Sequence, residues 1–208
     1  MGSKIDKGDR EYKVLVTQKN KEQLLSMNLN KNSVFIDGGA HKGEELQVLS
    51  EIGCEVHSFE VNPVHCENLK KLYSENKNIT INHAALWIKN DYIDVYYKKS
   101  SKLASMSTEK VKHNIDTKQK ISVRAIDIAD YILYYLDKEI DVMKLDIEGG
   151  EYKVIKHLIE TGAIDKVKKI YFEDHEIKML QEDLGWRREK KEVKKLMTKY
   201  QSKFKTWF

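Results

Sequence analysis

Proline and cysteine are scarce in this chain: one proline and two cysteines in 208 residues. With so few forced breaks, helices and strands must be ended by other residues, glycine above all. Cys54 and Cys66 fit no metal-ligand spacing, and a chain of this length needs no disulfide staple. They read as reduced thiols, so a cytoplasmic location is expected. No apolar run approaches the ~18 residues needed to span a membrane, and no secretory leader is visible. Charge of one sign is also lacking. The net charge is +4, from 37 basic and 33 acidic side chains, too small and dispersed to suggest a nucleic acid partner.

What is present is the balance of a globular domain, 40% hydrophobic and 34% charged, long enough to bury a real core. Met1-Gly2-Ser3 reads as a tag remnant. Residues 1–32 are expected to comprise that remnant and an N-terminal extension with a covering helix around Leu24, Leu25 and Leu29. Residues 33–208 form the main domain, of a kind that a larger polypeptide can contain.

The organising stretch is Val34 to Gly43. Val34, Phe35 and Ile36 form the apolar run of a buried parallel strand, and Asp37 stands at its end. Three glycines follow within six residues. Leu46, Leu49 and Ile52 then recur at helical spacing, with Gly53 as the stop. A strand, a glycine turn and a helix make a nucleotide-binding crossover, because glycine admits a ligand close to the backbone and the helix start presents free N–H groups.

Similar units recur. Cys54–Phe59 is a second strand ending at Glu60, followed by a helix that Pro63 opens. Asn78–Leu86 reads as a third strand, and Tyr92–Tyr97 alternates like an added antiparallel one. Residues 99–120 are polar, serine-rich and aperiodic, as in a binding loop. Ile121–Ala125 leads to Asp127, a candidate cap for the helix holding Ile132, Leu133 and Leu136. Ile140–Leu145 is a buried strand that delivers Asp146 and Glu148. A helix through Val154 and Leu158 stops at Gly162. Val167–Phe172 ends in Glu173, Asp174 and His175, and Phe204-Lys205-Thr206-Trp207-Phe208 is a candidate last strand. The basic run from Arg187 to Lys195 reads as a solvated helix face.

This alternation predicts an α/β fold with a doubly wound, mostly parallel sheet, whose ligands bind beyond the carboxyl ends of the strands. Several of those ends carry acids. Glu60 is placed to accept hydrogen bonds from both hydroxyls of a ribose. A nicotinamide-dependent oxidoreductase shares the glycine turn and the ribose acid, but Ala40 stands where its fingerprint needs a glycine. A noncatalytic nucleotide-binding scaffold is the other alternative, and the acids on further strand ends argue against it.

The motifs resemble those of the FkbM-type S-adenosylmethionine-dependent methyltransferases. Asp37-Gly38-Gly39-Ala40-His41-Lys42-Gly43 is similar to that family's Asp-Val-Gly-Ala-Asn-x-Gly element. Phe59-Glu60-Val61-Asn62-Pro63 matches its Phe-Glu-Pro-like strand end. Lys144-Leu145-Asp146-Ile147-Glu148-Gly149-Gly150-Glu151 matches Lys-Ile-Asp-Val-Glu-Gly-Ala-Glu. His41 replaces the usual Asn, Gly38 a bulkier residue, and the C-terminus is unusually rich in lysine. The resemblance implies a seven-stranded Rossmann-like sheet with one antiparallel strand. It also implies methyl transfer to a hydroxyl of a sugar, for which the 2-hydroxyl of a rhamnose- or fucose-like deoxyhexose in a glycan is a reasonable acceptor.

By that resemblance, Asp37, Gly38, Gly39, Ala40, His41 and Gly43 would lie along the methionyl part of the cofactor. Glu60 would hold the ribose, Asn62 is a further cofactor-binding candidate, and His83 and Ala84 would lie near the adenine. Asp146, Glu148 and His175 are the candidates for removing the acceptor proton. Asp146 and Glu173 are the alternative, as carboxylates gathering a Mg²⁺.

Overall fold

The computed structural model describes residues 16–97, 104–105, 120–174 and 184–207. At its centre is strand β1 (Val34–Gly38), all five of whose residues are buried. Val34 and Ile36 point into one apolar cluster with Leu145, Val154 and Leu158. Phe35 points into another, with Leu46, Leu49 and Val56. A strand covered on both faces has no polar side, which is why it reads as an unbroken apolar run.

Around β1 the expected α/β architecture is present. Helix α1 (Gln18–Ser26) precedes it, with Leu24 buried in the second cluster. After β1 come α2 (Glu44–Ile52), β2 (Glu55–Glu60), α3 (Pro63–Leu72) and β3 (Ile79–His83). Asn62 caps α3 by accepting hydrogen bonds from the Val64 and His65 amides, and Pro63 occupies the first turn, where no N–H is needed. Then follow β4 (Ala85–Trp87), β5 (Asp91–Tyr97), β6 (Ala104–Ser105), β7 (Lys120–Asp127) and a short α4 (Ile128–Asp130). Asp127 caps α4 as expected, accepting from the Ala129 and Asp130 amides. The helix continues as a π-helix over Tyr131–Leu136. The rest is β8 (Ile140–Leu145), α5 (Glu151–Glu160), β9 (Val167–Phe172), α6 (Leu184–Met197) and β10 (Phe204–Thr206).

Six strands form one sheet in the order β10-β9-β8-β1-β2-β3, and every pair in it is parallel. The order reverses between β1 and β8, so a crevice opens there at the strands' carboxyl ends. The expected single sheet of seven with one antiparallel strand is thus divided. A second sheet, β4-β7-β5-β6, carries the antiparallel pairs. The stretch Asn78–Leu86, read as one strand, is divided at Ala84. Ile79 packs in the α2–α3 cluster, whereas Ala84 and Leu86 pack in the opposite one. The chain therefore changes faces at a small buried residue and passes from β3 in the first sheet to β4 in the second.

Arg188, Lys191, Lys194 and Lys195 of α6 are exposed, as a solvated face requires. Lys190 is the exception. It is buried and donates to Asp174 at 2.9 Å. His175 and most of the 99–120 stretch lie outside the described residues. No helix among the described residues is long and apolar enough to cross a membrane.

Candidate active site

Beyond the carboxyl ends of β1, β2 and β8 lies a cavity of about 390 Å³. That volume suits a small-molecule site. Its floor is built by backbone interlocking. Gly39 and Ala40 amides donate to the Phe59 carbonyl, and the Asp146 amide donates to Gly38. Gly39 takes φ +88°, and a Cβ there would meet the Asp146 carbonyl oxygen at 2.0 Å. Only glycine lets the turns after β1 and β8 come this close.

Glu60 stands at one end of the cavity, only 6% exposed. One of its oxygens accepts from the His41 amide at 2.6 Å, the other from the Asn62 amide at 2.7 Å. A carboxylate has about four acceptor sites, so two are left for a ligand's hydroxyls. Burial pushes the Glu60 carboxyl up to about 7, against the opposing pull of those two amides. An acid raised in the folded state stabilises the fold most fully below its unfolded value, and that contribution is lost as pH rises through about 7. Hydrogen bonds from ribose hydroxyls favour the charged form. An uncharged ligand that places two hydroxyls on Glu60 should therefore bind about tenfold more weakly at pH 6 than at pH 8. Calorimetry across that range checks this, and Glu60→Gln should flatten the slope.

A lysine inside a strand organises another part of the wall. Lys144 on β8 is paired in register with Asp37 on β1. Its ammonium donates to Asp37 at 3.2 Å and to the Gly39 carbonyl at 3.0 Å, and lies 3.6 Å from Glu45 on α2. Ser58 donates to the other oxygen of Asp37. Burial works against the Lys144 cation, but Asp37, Glu45 and Asp146 together hold its pKa above the ordinary lysine range. Burial likewise pushes Glu45 up to about 7, with Lys144 opposing and Asp37 reinforcing. The Trp207 ring lies 5.5 Å from the Lys144 nitrogen, and the Asn20 amide on α1 approaches Glu45 at 3.5 Å.

Asp146, Ile147 and Glu148 form the third wall. The buried Glu151 carboxylate fixes them by accepting from the Ile147 and Gly149 amides at 3.0 Å. Glu148 is held at φ +57° and His41 at φ +50°, a region that non-glycine residues seldom occupy. The His41 ring lies 3.7 Å from Glu44 and edge-on to His65. Burial raises Glu44, yet the His41 ring and the α2 backbone outweigh it and hold the acid below its usual range.

Of the residues expected at a cofactor, Gly39, His41, Glu60, Asn62 and Ala84 line this cavity, and the expected bases Asp146 and Glu148 join them. Asp37, Gly38, Ala40, Gly43 and His83 do not. Asp37 is fully buried and turned onto Lys144 rather than toward a ligand. Gly38 is packed beneath Leu86 and Ile147. Ala40 lies in the core, and Gly43 starts α2 in a left-handed conformation beneath Leu69. His83 is exposed, its ring against the Val61 carbonyl. Glu173 lies outside the cavity lining, its amide donating to Leu145. No group of three or more His, Cys, Asp or Glu among the described residues is placed to hold a metal ion.

Lys144, Glu45, Glu151, Asn20 and Trp207 were not among the expected site residues. The lysine had a signal. A charge within Val142-Met143-Lys144-Leu145 must find a buried partner, and Asp37 ends the neighbouring strand.

The family model described as the Methyltransferase FkbM domain matches residues 37–204. Among solved structures the chain is similar to precorrin-6y C5,15-methyltransferase from Geobacter metallireducens GS-15, at 12% identity and a TM-score of 0.45. That likeness covers 91% of this chain and 74% of the other. No curated protein matches the chain. Asn20 and Trp207, which also line the cavity, lie outside the matched span.

Proposed function

We propose, from the premise that this chain belongs to the FkbM methyltransferase family, that it transfers a methyl group from S-adenosylmethionine to a hydroxyl of a sugar. The 2-hydroxyl of a deoxyhexose such as rhamnose or fucose in a glycan is the acceptor we favour. The observation that carries the reading is the cavity at the β1/β8 switch point, whose lining holds Asp146, Glu148 and the buried Glu60 carboxylate with two acceptor sites left for a ligand. The cofactor supplies an electrophilic methyl group on a sulfonium. The two remaining acceptor sites of Glu60 suit its binding.

A sugar hydroxyl is a poor nucleophile until its proton is drawn off as attack proceeds. Asp146 and Glu148 are the groups we assign to receive that proton, and the Glu151 carboxylate keeps their turn in place. His175 is a further candidate. The alternative of a Mg²⁺ gathered by Asp146 and Glu173 fits poorly, because Glu173 is outside the cavity lining that holds Asp146. Much of the acceleration comes from holding the acceptor oxygen at attack distance in a walled cavity.

Residues 33–208 are the proposed methyltransferase domain, and 1–32 an extension whose helix α1 covers α2. The two cysteines, both buried and unpaired, accord with the proposed cytoplasmic setting.

Asp146→Asn tests the assignment. It should lower turnover at least about a hundredfold, the usual contribution of a general base, while leaving cofactor affinity within about threefold. Full activity in that variant would remove Asp146 from the mechanism. Adding EDTA and then Mg²⁺ to the wild type separates the two carboxylate roles, because only the metal route responds.

A further inference from the structure

Asn20 on α1 and Trp207, just past β10, both line the cavity, and the segments that carry them are tied to each other. The Gln23 side chain donates to the Thr206 carbonyl at 3.1 Å across 183 positions of sequence. The Trp207 amide donates to the Phe172 carbonyl at 2.9 Å. That carbonyl and that amide belong to one peptide group, whose plane is thus held from both sides, by α1 and by β9. Fixing it aims the buried Trp207 side chain, which shares a cluster with Leu24 of α1 and Leu46 of α2 and sets its ring 5.5 Å from the Lys144 nitrogen. Asn20 and Gln23 are three positions apart and share a face of α1, from which Asn20 approaches Glu45 at 3.5 Å. The tie adds little to the stability of the fold. The Gln23 Oε1 is buried with no hydrogen-bond partner among the described residues, a cost that offsets the bond its amide makes. Thr206 is exposed, so water can satisfy its carbonyl instead.

We propose that α1 and the Trp207 segment are part of the cofactor site. Asn20 and Trp207 touch the bound cofactor, and Gln23 is a positioning residue that acts through the Thr206–Trp207 peptide. The inference rests on the methyltransferase reading. Helix α1 has nine residues, too few to be stable without tertiary contacts, and β10 is a three-residue strand paired, among the described residues, with β9 alone. A ligand that touches both segments holds them in place. A tie that already aligns them lowers the ordering cost of binding. Removing the tie therefore weakens binding more than it weakens the fold.

Calorimetry with S-adenosylhomocysteine on the wild type and Gln23→Leu tests this, since Gln23 does not itself line the cavity. The variant should bind about fivefold more weakly, the equilibrium value of one neutral hydrogen bond. Its melting temperature without ligand should stay within about 3 °C of wild type. Saturating ligand should also slow hydrogen exchange of the α1 amides in the wild type. It should change the tryptophan fluorescence as well, by an amount that Trp207→Phe largely removes while still binding. Unchanged affinity in Gln23→Leu overturns the inference, whether or not that variant is less stable, and leaves the methyltransferase reading standing. Should Gln23→Leu fold poorly, the wild type and Trp207→Phe decide. Exchange in α1 unmoved by ligand, or a fluorescence change kept in full by Trp207→Phe, overturns the inference. Failure of S-adenosylhomocysteine to bind the wild type overturns the methyltransferase reading, and the inference with it.

Discussion

Lys144→Met is expected to destabilise the protein by about 3–5 kcal/mol at pH 8, the usual cost of removing one partner from a buried ion pair. The ammonium is 2% exposed as a side chain and serves two carboxylates, Asp37 and Glu45, exposed by 0% and 5%. Methionine fills the space but leaves both acids without their cation, one of them held only by Ser58. Protonating the abandoned acids relieves the penalty. The deficit should therefore shrink as pH falls from 8 toward 5, because acids whose charge is disfavoured in the folded state stabilise it as they take up protons. Urea unfolding at both pH values measures this. Pairing Lys144→Met with Asp37→Asn should recover part of the loss. A single variant within 1 kcal/mol of wild type at pH 8 would show that the triad is not the clamp between β1, β8 and α2 that its geometry implies.

Gly39→Ala is expected to be the most damaging of the glycine substitutions. Its Cβ would sit 2.0 Å from the Asp146 carbonyl oxygen, and that atom belongs to the backbone of the turn carrying the proposed base. Nothing can rotate away, so either the turn moves or the strand ends part. Left-handed strain adds about 1 kcal/mol to the clash. Gly162→Ala isolates the strain alone, since that residue also has positive φ, +78°, with nothing within 4 Å of the new methyl. Gly162→Ala should lower the melting temperature by a few degrees, about what 1 kcal/mol does in a domain of this size. Gly39→Ala should give insoluble protein, or soluble protein that binds no adenosyl ligand. Equal melting temperatures for the two variants would contradict the close crossing of the β1 and β8 turns.

Much of this arrangement is legible in the amino-acid order because it is local. An apolar triplet, an acid and a glycine cluster announce β1 and its turn. Asn62-Pro63 announces a helix start by supplying both a cap and a residue that needs no N–H partner. Glu60 is legible for the same reason, since a strand end and a helix start bracket it. What stays hidden depends on packing between distant segments. Glu44 and Glu45 are adjacent in the first turn of α2, yet only Glu45 faces the buried lysine, and no spacing rule separates them. The division at Ala84 is set by which core cluster Leu86 enters. Asn20 and Trp207 reach the same wall from the two ends of the chain, where the Gln23 side chain donates to the Thr206 carbonyl. Asp37 is the instructive case. Read locally, it is an acid at a strand end and a natural ligand contact. In the fold it is consumed by Lys144, a partner 107 positions away.

The most direct test of the whole account is thermal stabilisation of the wild-type protein by S-adenosylmethionine, S-adenosylhomocysteine and NAD in parallel. A ligand at ~100 times its dissociation constant that binds only the folded state adds about 2.7 kcal/mol, a shift of several degrees. The account predicts stabilisation by the two adenosyl-sulfur ligands and none by NAD. Stabilisation by NAD alone, or by none of the three, would contradict it.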